Sequence, residues 1–164
     1  MMSSKQTKES LVIILDEWFA HYLLKKTDLK EEEEKEAQRK AILLYNKIYK
    51  KCDRIAISSK LYKKISNFYS KIKPYEDSIT YGCAKEFWAL FMINMNKCIR
   101  IYEESQNYPE VKDVKPNDVY LIQLYFQIQD QNKILVTTDK DIHDALVKQN
   151  INVILLEKFL EEYL

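Results

Sequence analysis

Residues 11–15 read LVIIL, five apolar side chains with no polar one among them, closed by Asp16. A strand of this composition has no face to give to water, so other elements must cover it on both sides. Helices packed on both faces of a mostly parallel sheet do this, and they require strands and helices to alternate along the chain. The chain alternates in that way. Arg54 to Ser58 (RIAIS), Lys133 to Thr137 (KILVT) and Asn152 to Leu155 are further short β-branched runs, each separated from the next by a segment of helical period.

The helical segments carry their own start and stop signals. Glu31 to Glu34, followed by Ala41, Leu44, Tyr45, Ile48 and Tyr49, predicts a helix over about 29–51 with Thr27 or Asp28 as its cap. Ser58 or Ser59 caps the next, whose Leu61, Ile65, Phe68, Tyr69 and Ile72 lead to Pro74. A third, about 85–101, buries Phe87, Trp88, Phe91, Met92, Met95 and Ile99; such a stripe is core rather than a cofactor box. Glu103 to Asn117, with Pro109 and Pro116, reads as a loop. Asp118 opens a helix to about Asp130, and Asp141 to Lys148 and Glu157 to Tyr163 complete the set. The expected fold is a three-layer α/β domain with a parallel sheet of about four strands flanked by helices. It spans residues 11–164 after a polar N-terminal tail over 1–10, and 164 residues at 46% hydrophobic content suit one core.

Several function classes fall away at once. The single glycine, Gly82, rules out a GxGxxG or P-loop phosphate cradle. Cys52, Cys83 and Cys98 fit neither a disulfide framework nor metal spacing, and read as buried free thiols. No apolar run is long enough to span a membrane and no signal-like segment opens the chain, so the expectation is a cytoplasmic protein with no membrane partner.

Net charge is only +1, but it is unevenly laid out. Residues 39–73 hold eleven Lys or Arg against one acid, Asp53, so that stretch carries +10 and the remainder −9. Such asymmetry points to a polyanion at one face and to cations or a basic partner at the other. Lys47, Lys51, Arg54, Lys60, Lys63 and Lys64 are the candidate RNA-binding residues of the basic stretch. Tyr45, Tyr49, Tyr62, Phe68 and Tyr69 interleave with these bases. They either stack on unpaired bases or pack in the core, and helical spacing favours the core for all but Tyr62.

Asp16 and Asp139 each follow a strand, at the edge where open α/β sheets bind ligands. Asp118 opens a helix whose start can reach that edge, and Asp141 stands two residues beyond Asp139 in TTDKD. Gathered carboxylates repel unless a cation lies between them, and Mg²⁺ or Mn²⁺ prefers such oxygen ligands. The alternative is that these aspartates serve as helix caps and strand ends. His21 and His143 are assigned no role.

Residues 117–160, NDVYLIQLYFQIQDQNKILVTTDKDIHDALVKQNINVILLEKFL, resemble the C-terminal half of PIN-domain nucleases. There an Asp opens a helix, a short loop and an apolar strand follow, and a T-x-D-x-D turn leads into another helix and a short strand; here Asp118, the strand Ile134 to Val136 and Thr138-Asp139-Lys140-Asp141 fill those places. VIILDEWFAHYLL is similar to the family's first strand and leading Asp, and RIAISSKLYKKISNFYSKI to its middle strand and Ser-capped helix. The resemblance implies Asp16, Asp118 and Asp139 as catalytic and metal-binding acids with Asp141 accessory, a Mg²⁺ or Mn²⁺ cofactor, and endonucleolytic cleavage of single-stranded RNA by metal-activated water. It also brings two alternatives, a catalytically degenerate module that binds RNA or a protein, and the toxin half of a toxin and antitoxin pair; homodimers are common in the family. Two positions depart from the family pattern. Lys64 stands where a middle-helix Glu is usual, and Glu17 and Trp18 follow the leading Asp in place of a small hydroxyl residue and Asn. Lys64 is accordingly expected to face the four aspartates, either contacting the scissile phosphate or pairing with Asp16 or Asp118.

Overall fold

A computed structural model describes residues 9–17, 31–71, 78–102 and 108–164. Trp18, His21, the expected caps Thr27 and Asp28, Lys73 and Pro74 lie outside these residues, as does most of the polar tail.

Five strands, β1 (Val12–Leu15), β2 (Arg54–Ser58), β3 (Cys98–Ile101), β4 (Lys133–Thr137) and β5 (Val153–Leu155), form one sheet in the order β3-β2-β1-β4-β5. Every pairing is parallel. The all-apolar β1 is the central strand, and all four of its residues are buried. The helices among the described residues are α1 (Glu31–Lys50), α2 (Ser59–Lys71), α3 (Ser78–Phe87), α4 (Val119–Gln127), α5 (Lys140–Val147) and α6 (Leu156–Tyr163).

Alternation along β1 sends Ile13 and Leu15 to one face and Val12 and Ile14 to the other, and a separate core grows on each. Ile13 and Leu15 meet Leu44, Tyr45 and Ile48 of α1, Leu61 and Ile65 of α2, Phe87 of α3 and Phe159 of α6. Val12 and Ile14 meet Leu121 and Leu124 of α4 and Ile142 and Leu146 of α5. The molecule is therefore three layers, with the sheet in the middle.

The sequence reading changes at three places. The helix expected over 85–101 ends early: α3 runs into a π-helical turn, Trp88–Met92, and Asn94 then closes a tight turn that accepts the Lys97 and Cys98 N–H groups. Cys98–Ile101 is instead the edge strand β3, so the sheet has five strands, and Met95, expected in the core, is exposed. Cys98 is buried, which pushes its thiol up to about 12, but Cys52 is exposed in the turn after α1. Tyr49, expected in the core, is also partly open to solvent, whereas Tyr45 is fully enclosed.

Candidate functional site

Strands β2 and β3 are laid down on one side of β1, and β4 and β5 on the other, so the order in which strands are added reverses between β1 and β4. The carboxyl edge near such a point is where sheets of this kind bind ligands. A crevice of about 550 Å³ opens at that edge, lined by residues from the ends of β1 and β2 and the start of α4, among them Asp16, Glu17, Ser58, Lys60, Asp118 and Tyr120; Asp139 is not one of its lining residues.

Asp16 is buried and held by three donors. Its Oδ1 accepts from the Tyr120 hydroxyl at 2.9 Å and from the Glu17 backbone N–H, and its Oδ2 accepts from the Thr137 hydroxyl at 2.9 Å. Thr137, the last residue of β4 and fully buried, accepts in turn from the Asp139 N–H at 3.1 Å. One hydroxyl thus fixes both strand-end acids. Burial and the adjacent Asp16 carboxylate push the Tyr120 phenol far above its ordinary range, so Tyr120 stays protonated and remains a donor.

Asp139 caps α5, its Oδ1 accepting from the Asp141 N–H at 2.8 Å and the Ile142 N–H at 3.2 Å. Asp118 stands at the N-cap position of α4, yet its side chain caps nothing. Its carboxyl is held above the ordinary value by loss of solvent and by the charges of Asp16 and Asp139, with a smaller push from Glu17 and an opposing pull from Lys115. Asp118 therefore senses the charges of both Asp16 and Asp139. Asp141 is exposed on the first turn of α5 and is not among the charges acting on Asp118. His143 turns its Nδ1 to Asp144 at 2.9 Å.

The basic residues divide between the two ends of the sheet. Ser58 Oγ accepts from the Leu61 N–H at 3.0 Å and so caps α2, which brings Lys60 into the crevice on the first turn. Lys64, expected to face the aspartates, is exposed one turn further along and is not among the crevice residues; Lys60 lines the crevice instead, and Lys63 is exposed beside it. Lys47, Lys51 and Arg54 lie around the start of β2, at the opposite edge, about 15 Å away for a five-residue strand at roughly 3.3 Å per residue. They have partners there: Lys47 Nζ donates to the Leu164 carbonyl at 2.9 Å, Lys51 Nζ lies 4.0 Å from the Tyr163 ring centroid, and Arg54 pairs with Asp130.

The donor set in the crevice is carboxylate and hydroxyl oxygen, the chemistry a hard divalent cation prefers. Among the described residues, no group of three or more His, Cys, Asp or Glu is arranged to hold a metal ion. Asp16 has already committed three of the roughly four lone-pair sites of a carboxylate, whereas Asp118 caps nothing. Donor type and mutual repulsion fit a hard cation, with Asp118 the carboxylate left to meet it.

Sequence reasoning passed over Tyr120 and Thr137, although both lie within two residues of an aspartate it chose. It also passed over Arg100, which sat inside the stretch read as helix. No protein-family model matches the chain, and no curated protein matches it either.

Proposed function

We propose that the chain is a PIN-like ribonuclease, dependent on Mg²⁺ or Mn²⁺, that cleaves single-stranded RNA in the crevice at the carboxyl ends of β1 and β2. The observation that carries this reading is that Asp16, Asp118 and Lys60 line one crevice, where loss of solvent and the charges of Asp16 and Asp139 push the Asp118 carboxyl up. A bound divalent ion would supply a water of lowered pKa and would neutralise charge developing on the phosphate. Asp16, Asp118 and Asp139 would hold the ion. Tyr120 and Thr137 keep the Asp16 carboxylate in one orientation, so holding the ion costs it little rearrangement. Lys60 is the cation positioned to contact a phosphate oxygen.

Purified protein incubated with end-labelled single-stranded RNA and Mn²⁺ tests the proposal. Cleavage by the wild type, reduced at least about 100-fold in both Asp16→Asn and Asp118→Asn, is the expected result for loss of a direct ligand. Equal cleavage by the variants, or none by the wild type, overturns it.

The saturation of Asp16 favours a second reading, a non-catalytic PIN-like module that uses the same crevice only to bind. A carboxylate already satisfied by Tyr120, Thr137 and the Glu17 N–H has little need of a cation. Calorimetry separates the two, because a ligand that binds only the folded state raises its melting temperature. A rise with millimolar Mn²⁺ in the wild type, lost in Asp16→Asn, supports the nuclease; no rise in either supports the module.

A further inference from the structure

Arg100 lies on the edge strand β3, exposed, with its guanidinium carbon 4.0 Å from the Tyr62 ring centroid. The Tyr62 ring is itself fixed, half-buried against the core with its hydroxyl donating to the Met92 carbonyl at 3.4 Å. Register locates the pair: Ile101 is opposite Ser58, a wall residue of the crevice, and Arg100 is opposite Ile57, one residue back. Neighbouring strands are about 4.8 Å apart, so Arg100 sits one strand over from the crevice wall. The same face carries α2, which exposes Lys60, Lys63, Lys64 and Lys71 and contains no acidic residue.

We propose that the Arg100 guanidinium, backed by Tyr62, is a stacking platform for a base of single-stranded RNA as the strand passes out of the crevice along α2; this rests on the reading that RNA is the ligand of that crevice. A guanidinium laid on an aromatic ring is planar and weakly hydrated, and its outer side offers a flat cationic surface to a nucleobase. Lysines flanking it contact phosphates, and the stacked surface takes the base without reading its identity. A free end of the sheet suits this role, because no further strand lies beyond β3 among the described residues. The competing account is that Arg100 only places a charge on an edge strand, which discourages unwanted strand pairing. Lysine would serve that purpose equally well.

The experiment is fluorescence anisotropy of a labelled single-stranded RNA 12-mer in EDTA, with wild type, Arg100→Ala and Arg100→Lys, and with a matched oligomer carrying abasic sites. Both variants are expected to bind the intact RNA about tenfold more weakly, and Arg100→Lys to equal the wild type on the abasic oligomer. Should Arg100→Ala fail to keep the wild-type melting temperature, the lysine variant alone decides the matter. Wild-type affinity in Arg100→Lys, or the same loss on intact and abasic RNA, overturns the platform and leaves the ribonuclease reading standing. A wild type that binds no RNA in EDTA overturns the platform, and the Mn²⁺ cleavage assay alone decides the ribonuclease reading.

Discussion

At the scale of single residues, the three clustered aspartates have different surroundings despite sharing one edge. Asp16 and Asp139 accept from fixed donors, and Asp118 accepts no cap hydrogen bond while sitting in the field of the other two. An acid whose pKa is raised by folding binds its proton more tightly in the folded chain than in the unfolded one. The stability this gives is complete below the ordinary value of 3.8 and is lost as pH rises through the folded value. At neutral pH the ionised Asp118 is therefore a net cost to the fold without metal. Asp118→Asn should be more stable than wild type in urea unfolding at pH 7, with the advantage shrinking towards pH 3. The gain should stay below about 1 kcal/mol, because the carboxyl is only partly withdrawn from solvent, which screens its neighbours. A variant less stable at pH 7 than wild type would contradict the assignment. The acids were legible in the sequence because each follows a strand or opens a helix. Tyr120 and Thr137 were not, since a hydroxyl's partner depends on which loops meet in space.

Among the elements, the strands that bury both faces were the easiest to read, and β3 the hardest. Its Cys98–Ile101 run follows Phe87, Phe91 and Met92 at helical spacing, so the apolar pattern continued past the point where the helix had stopped. The helix terminus itself lacked its usual marker, because the chain has one glycine. The end of α1 shows how such a chain manages without. Asp53 N–H donates to the Ile48 carbonyl and Cys52 N–H to the Tyr49 carbonyl, a Schellman pattern in which Cys52 takes the left-handed position at φ 59°. Asn150 does the same after α5 at φ 57°, with a side chain better suited to that conformation. Cysteine is the poorer choice, so Cys52→Gly should stabilise the protein by about 1 kcal/mol, the strain relieved outweighing the extra chain entropy. The same change at Asn150 should do less. Thermal unfolding of the two variants side by side checks the order, and a drop in stability for Cys52→Gly would refute it.

Across the whole molecule, the +10 stretch separates into two groups with different work, which no linear count of charge can reveal. Lys60, Lys63 and Lys64 stand towards the acid edge, and Lys47, Lys51 and Arg54 gather at the other, where they fasten the C-terminus and the loop before β4. Asp53 lies at that same edge, just before β2. It is buried, its Oδ1 accepts from the Leu11 N–H at 2.8 Å, and its Oδ2 accepts from the Tyr163 hydroxyl, so one carboxylate joins the start of β1 to the end of α6. Burial and the hydrogen bond to Asp53 push the Tyr163 phenol far above its usual range, which keeps it a donor across the neutral and moderately alkaline range. Tyr163→Phe keeps the ring packed on Phe159 and beneath Lys51 but leaves a buried carboxylate oxygen without its donor. That costs about 1–3 kcal/mol, the range for an unsatisfied buried polar group. Asp53→Asn in the same background should recover part of the loss, since a neutral amide is cheaper to leave unpaired than a charge. Because the link lies at the edge away from Asp16, the RNA cleavage proposed for the crevice should, below the melting temperature, be unchanged in Tyr163→Phe. Urea unfolding of the single and double variants, read beside that activity, tests whether the two ends of the sheet are independent.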